Sequence, residues 1–383
     1  MSNRHPDEST SRRLHVLHVS ASASGGVATV ALGYVRDQVE RGWRVSVATS
    51  SVGFLGYDAR EAGAGAYWWQ AEREPNRRVV GEAMRLSRII AQAEPDVVHL
   101  HSSKAGLVGR LVVRNRIPTV FQPHSWSYLA ATGGIRAASL RWERFATRWA
   151  ALVVCVSEAE RSGGTRLGIE GRTAVIPNGV SLSTFRPQGD RDRRVARKDL
   201  GLAEAPTVVC VGELTAQKGQ RDLLAGWPEV LEQVPDARLV LVGDGPDRKD
   251  LLATAAGLPG VMLVGARSDV RAWLAAADCV VVPSRWDGMS LVPLEAMACA
   301  RSVVATSVSG VTESVPDDAG AIVMPNDRSE MAAALVKRLL DPDLAQDEGW
   351  AGRAHVEAHH DVETTAHEMA RAYLRLVGER RSR

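Results

Sequence analysis

Two doubly wound α/β domains joined by a linker are what this 383-residue sequence predicts. The length accommodates two domains of about 100–200 residues each. Short β-rich apolar runs alternate with helical periodicity from end to end, the pattern of parallel sheets covered by helices. One polar, charged run, Phe185–Asp199, interrupts it with Pro187 and Gly189, and the alternation then restarts.

From the N-terminus, Leu14–Val19 reads as a strand, Gly25-Gly26 as a tight turn and Val27–Arg41 as a helix. Trp43–Thr49, Val97–His101, Pro118–Gln122 and Leu152–Val156 are further strands with helices between them. After the interruption, Thr207–Val211, Arg238–Val242, Val261–Val264, Cys279–Val282 and Ser302–Ala305 repeat the pattern. Val362–Gly378 sets Val362, Ala366, Met369, Tyr373 and Leu376 at helical spacing, an amphipathic helix able to pack on either domain. The expected organisation is a disordered tail over 1–13, a first domain over 14–185, a linker over 186–199, a second domain over 200–360 and a terminal helix over 361–383. Ligands of open α/β sheets bind at the carboxyl edge of the strands, so the expected site is a cleft where two such edges face each other.

Composition narrows the class. Apolar residues at 45% and charged residues at 24% exclude a wholly disordered, collagenous or coiled-coil chain. No apolar run is long enough to span a membrane, and Met1–Arg13 lacks the apolar core of a secretory leader. Cys155, Cys210, Cys279 and Cys299 form no CxxC pair, so free buried thiols in a cytoplasmic protein are expected and no metal set is. Residues 1–190 carry 24 Lys+Arg against 16 Asp+Glu, and residues 191–383 carry 23 against 29. A basic half would draw an anionic partner or membrane surface.

Pro283–Ala300 is the segment richest in chemistry. It follows a strand and enters a helix near Leu291, with Pro293 in the first turn, where a missing N–H does no harm. Gly288 permits a tight turn and close ligand approach. The amides of Met289, Ser290 and Leu291 then lie at a helix N-terminus, a natural seat for a diphosphate. Asp287 precedes the turn and Glu295 lies one helical turn inside, placed to accept hydrogen bonds from sugar or ribose hydroxyls. Lys218 follows a strand exit and precedes a glycine, so its ammonium can reach phosphates at the domain edge. Gly243 and Gly245 follow a strand, but the third glycine of a dinucleotide fingerprint is absent; the segment reads as a tight strand–helix turn.

Asp287-x7-Glu295 resembles the E-x7-E hallmark of the retaining nucleotide-sugar glycosyltransferases of family 4, with a conservative change at the first acid. Ile176-Pro177-Asn178-Gly179-Val180 with Phe185, Gly212-Glu213-Leu214 with Lys218-Gly219, and Leu241–Pro246 are similar to further motifs of that family. The resemblance covers about 14–340 and implies the GT-B fold, two Rossmann-like domains across a cleft. It implies that Asp287 contacts donor-sugar hydroxyls, Glu295 the ribose, and Gly25 and Gly26 the donor phosphate. His124 matches the family's active-site histidine, which faces the donor sugar and offers its backbone carbonyl to the anomeric carbon. Glu213 stands where the family has the Arg that shares the diphosphate with Lys218, and Ala300 and Ser302 stand where it usually has Gly and Pro. His101 and Ser102, at a strand end, read first as structural and second as lining the acceptor side.

Ile135–Leu152 puts Trp142, Phe145 and Trp149 beside Arg141, Arg144 and Arg148, either a membrane-surface helix or a core-facing helix with a solvated basic face. No nucleic-acid module is recognisable. The resemblance implies transfer of a hexosyl-type sugar from a UDP- or GDP-sugar to a hydroxyl, with retention and without metal or cofactor. The basic first domain favours a lipid-linked or glycan acceptor, in surface-polysaccharide or glycolipid assembly at the inner membrane face. The alternatives are a non-catalytic sugar-nucleotide-binding protein and a nucleotide-sugar epimerase of the same fold.

Overall fold

The computed structural model describes residues 13–72, 77–187 and 189–382; the tail expected over 1–13 lies, apart from Arg13, outside them. Seven strands make the first sheet: β1 (His15–Ser20), β2 (Arg44–Thr49), β3 (Gly65–Trp68), β4 (Val97–His101), β5 (Thr119–Gln122), β6 (Leu152–Cys155) and β7 (Thr173–Val175). Their order is β3-β2-β1-β4-β5-β6-β7. Central strands β1 and β4 are buried along their whole length, the condition of a parallel strand covered on both faces.

The second sheet holds β8 (Thr207–Val211), β9 (Arg238–Val242), β10 (Val261–Gly265), β11 (Cys279–Val282), β12 (Ser302–Thr306) and β13 (Gly320–Val323). Its order is β10-β9-β8-β11-β12-β13, and every pairing is parallel. This is the doubly wound arrangement, with the chain reversing direction across the sheet between β8 and β11. Val208, Leu239, Leu241 and Val281 point into a core closed by Trp227, Leu223 and Leu335 from the helices Gln220–Gln233 and Arg328–Leu340.

The chain forms two compact units. One holds the described residues up to Phe121, with Trp149–Ala151 and those from Ala370 on; the other holds Gln122–Arg148 and Leu152–Met369. This division departs from the boundaries read from sequence. The reason is visible in hydrogen bonds: Glu313 accepts from the N–H groups of Glu158 and Ala159, both at 2.7 Å, and Asn178 Nδ2 donates to the Met289 carbonyl at 2.7 Å. The stretch from 152 to 185 thus packs with the second sheet's loops.

The linker expectation over 186–199 also needs correction. Asp190–Leu200 is a helix, closed by Gly201 in the left-handed region. Arg197 donates to the Ala276 carbonyl at 3.0 Å and to Asp278 at 2.6 Å, and Arg193 reaches the same carboxylate at 2.8 Å. The terminal helix spans Val362–Arg381, and its Tyr373 hydroxyl lies 2.5 Å from His99 Nδ1. All four cysteines are free and buried. No described helix is long and apolar enough to cross a membrane.

Candidate functional site

Two loops leave the carboxyl ends of β8 and β11, the strands flanking the point where the second sheet reverses. One runs through Gly212 to a 3-10 turn, Ala216–Lys218, and the other is Pro283–Ser290. The Arg285 N–H donates to the Gln217 carbonyl at 2.8 Å, joining the loops. Across that join Lys218 Nζ meets Asp287 Oδ2 at 2.5 Å, with side-chain exposures of 23% and 12%. The Arg285 guanidinium is forked onto Asp222 at 2.7 and 3.0 Å, which with Arg328 holds that carboxyl below its ordinary range.

Gly288 leaves no room for a side chain without a shift of its surroundings. A Cβ there would overlap the His124 carbonyl oxygen and press on Val156 Cγ2. His124 itself adopts φ +59°, a left-handed conformation that costs a non-glycine residue and is tolerated where surroundings impose it. Part of His124 reaches solvent, yet desolvation by the protein around it lowers its pKa to about 3, so the ring is neutral at pH 7. On the other side of the turn Gly310, at φ +80°, packs on the Gly288 carbonyl where a side chain would collide.

The helix Leu291–Ala298 starts directly after Ser290. Its first-turn amides have no acceptor within the helix, and its dipole is positive at this end. Glu295 is half-buried, and burial pushes its carboxyl up to about 7. Lys218, Asp287, Gly288, Met289, Ser290, Leu291, Glu295 and His124 therefore belong to one unit.

Gly25, Gly26, His101 and Ser102 belong to the other. Gly25 opens the helix Gly25–Glu40 at φ +76°, and a Cβ there would meet open space. The acceptor-lining role weighed for the His101 side chain does not hold: it is fully buried, with Nε2 3.0 Å from His18 Nδ1. His18, His99 and His101 do bring ring nitrogens within 4.8 Å of one another, a possible metal set among the described residues that sequence spacing had hidden. No anionic ligand belongs to the set, and a dication there would carry its charge into a dry interior. His18 also bonds Gln38 at 3.0 Å and is pushed by burial to about 4. We read the three rings as a buried, hydrogen-bonded part of the core.

Glu213 is exposed, and its backbone carbonyl accepts from Gln220 Nε2 at 3.1 Å. Gly243 and Gly245 seat their backbone on Gly212 and Leu214, where side chains would collide, so the pair is a packing turn. Ala300 holds φ +55°, a conformation in which a glycine would be at ease.

The sequence motifs mark neither Gly310 nor Glu313, and mark Asn178 only within Ile176–Val180. Asn178 fixes the Met289 carbonyl, and its own carbonyl lies 3.0 Å from His360 Nδ1. A Gly preceding a short helix, with Glu three residues on, was the available signal for Gly310 and Glu313.

A family model for group 1 glycosyl transferases matches residues 205–341, and one for glycosyltransferase family 4 matches 24–184. Over 321 residues, 78% of this chain and 81% of the relative, the sequence is 31% identical to a GDP-mannose-dependent alpha-(1-6)-phosphatidylinositol monomannoside mannosyltransferase of Mycolicibacterium smegmatis. It is 34% identical to a GDP-mannose-dependent monoacylated alpha-(1-6)-phosphatidylinositol monomannoside mannosyltransferase of Corynebacterium glutamicum, over 48% of this chain and 51% of that one. Among solved structures, Anabaena HepE in complex with UDP-glucose superposes with a TM-score of 0.82 at 23% identity, covering 94% of this chain and 99% of the other. The fold is GT-B. The chain belongs to glycosyltransferase family 4, among the group 1 glycosyl transferases.

Proposed function

We propose that this chain transfers a hexosyl group from a UDP- or GDP-sugar to a hydroxyl of a glycan or lipid-linked acceptor, with retention and without a metal ion. The observation that carries this reading is the Lys218–Asp287 pair at the reversal point of the second sheet, beside a helix N-terminus. In the reaction the bond from the anomeric carbon to the diphosphate breaks and its electrons go to the leaving oxygen. The Lys218 ammonium and the first amides of the helix Leu291–Ala298 offset that charge. Asp287 orients the sugar through its hydroxyls and Glu295 the ribose. The His124 ring, being neutral, adds no positive charge beside the developing cation. The acceptor oxygen attacks from the face the diphosphate leaves, and its proton passes to the departing oxygen. The site is built here without Gly25 and Gly26, which lie in the other unit.

Thermal unfolding with UDP, GDP and ADP in turn tests the donor site. A nucleotide at 100 times its Kd stabilises the folded chain by about 2.7 kcal/mol. We expect a shift with UDP or GDP that is lost in Lys218→Ala and Glu295→Ala. No shift with any of the three would remove the donor site. A shift without sugar turnover would favour a non-catalytic binder, a reading to which Glu213 in place of the family Arg lends weight.

A membrane-facing acceptor is part of the proposal. The basic helix ends sooner than the sequence implied, at Ala146, and a 3-10 turn, Thr147–Trp149, comes after it. Trp142 and Trp149 are half-buried, so the apolar groups it presents are Ile135 and Phe145, among exposed Arg136, Arg141, Arg144 and Arg148. Such a face suits anionic lipid headgroups. The chain should float with phosphatidylglycerol vesicles, stay behind with phosphatidylcholine vesicles, and detach as salt is raised. Equal behaviour with both lipids would end the membrane reading and leave the transferase reading standing.

A further inference from the structure

Glu160 stands behind the site and has none of the roles assigned to His124, Lys218, Asp287 and Glu295. It lies in the first turn of the helix Glu158–Arg166 and is 3% exposed. Its Oε2 accepts the Val156 N–H at 2.8 Å, and its backbone N–H donates to Ser157 Oγ at 3.0 Å. Its carbonyl accepts the Trp126 indole N–H at 2.8 Å. Among the described residues Oε1 is buried without a hydrogen-bond partner.

These bonds tie together two strand exits. Val156 comes directly after β6, and Trp126 lies two residues beyond His124 on the way out of β5. Both exits bear on Gly288, since the His124 carbonyl and Val156 Cγ2 are what a Cβ there would strike. The Glu160 side chain thus braces the Val156 wall of the seat that receives the Asp287–Gly288 turn, while its backbone carbonyl, which any residue would supply, holds Trp126 on the His124 wall.

We propose that Glu160 is a positioning residue of the donor site, bracing the exits of β5 and β6 so that His124 and Val156 hold the Asp287–Gly288 turn in place. The inference rests on the transferase reading. The protonated acid can accept from Val156 through Oε2, as the carboxylate can. Ionisation would put a second negative charge behind Asp287 in a dry environment. Burial pushes the carboxyl up to about 8, and Asp287 adds to the rise against the Val156 hydrogen bond. The other titratable neighbours do not relieve it. Tyr128 and Cys155 are themselves pushed up, each in part by Glu160, and Arg161 is engaged by Glu158.

Linkage gives the sign. A carboxyl whose folded pKa exceeds its ordinary 4.5 keeps the folded chain more protonated than the unfolded one, so its stability contribution declines from about pH 4.5 up to about 8. Among native molecules the protonated form gives way to the carboxylate above about 8, placing a second negative charge behind Asp287.

The test is kcat and donor KM from pH 6 to 10 for the wild type, Glu160→Gln and Glu160→Ala. Glu160→Gln keeps an acceptor for Val156 and cannot ionise; it should hold kcat within about threefold at pH 7. The wild type should lose about tenfold in kcat per pH unit above 8, a limb missing from Glu160→Gln. Glu160→Ala should lose at least about tenfold in kcat at every pH. Identical profiles for wild type and Glu160→Gln would overturn the proposal, as would full activity in a folded Glu160→Ala. If Glu160→Ala does not fold, the Gln comparison decides alone. If the wild type turns over no donor, the transferase reading fails separately. The pH dependence of the nucleotide-induced thermal shift, compared between wild type and Glu160→Gln, then judges Glu160.

Discussion

Lys218→Ala should lower kcat by about 10²–10³-fold while the chain still folds, the loss typical of removing one pre-placed group that stabilises charge on a leaving or attacking oxygen. The expected loss is large because Lys218 is the cation in contact with Asp287, and the position where the family carries its second base is here an exposed glutamate, Glu213. Folding should survive because the Lys218 side chain is 23% exposed and sits on a loop outside the core formed by Val208, Leu239 and Val281. Lys218→Arg keeps the charge and should recover part of the rate, though a planar fork is not a compact ammonium. Steady-state kinetics with a denaturation curve on each variant separates these effects. A folded Lys218→Ala with wild-type kcat would mean that the diphosphate is held elsewhere.

Gly288→Ala carries the second large effect. The added methyl would collide with the backbone oxygen of His124, which cannot swing aside as a flexible side-chain end could. Overpacking of this kind costs about 1–3 kcal/mol. Relief would have to come from displacing the Asp287 turn or the His124 turn, the two pieces that must stay in register. We expect a lower midpoint in urea together with loss of the nucleotide-induced thermal shift. Unchanged nucleotide binding in Gly288→Ala would show that the close approach of the two turns is incidental to the donor.

Legibility in the sequence tracked local physics. β8, β9, β11 and β12 were readable to within a residue or so, because apolar β-branched runs between helical segments leave few alternatives. β3, β7 and β13 escaped notice: they are only three or four residues long and partly exposed, and β3 and β13 open on glycine. The helix Asp190–Leu200 was hidden by its charge. Yet Asp190 and Asp192 at its start, Arg197 and Lys198 at its end and Gly201 beyond it were proper helix punctuation. Lys218, Asp287 and Glu295 were recognisable because motif and strand–loop–helix context agreed. Glu160 was not, since its meaning depends on Trp126, 34 residues away, and on a turn contributed by Gly288. The His18–His99–His101 core was invisible for the same reason. Alternation along one strand shows which face a residue takes, but not what the next strand brings to it.

The hydrogen bonds around Asn178 have a consequence for the order of assembly. Asn178 reaches Met289 across 111 residues, its carbonyl meets His360 across 182, and Thr365 donates to Pro177 across 188. Contacts so distant in sequence form late, because each must close a long loop before it is rewarded. During synthesis the sheet of β8 to β13 can consolidate while Asn178 still has no His360 to hold its carbonyl. The nascent chain can therefore have these strands, and the Asn178–Met289 bond, in place before the Asn178 carbonyl has its His360 partner. That stage ends only when residues 360–365 have cleared the ribosome.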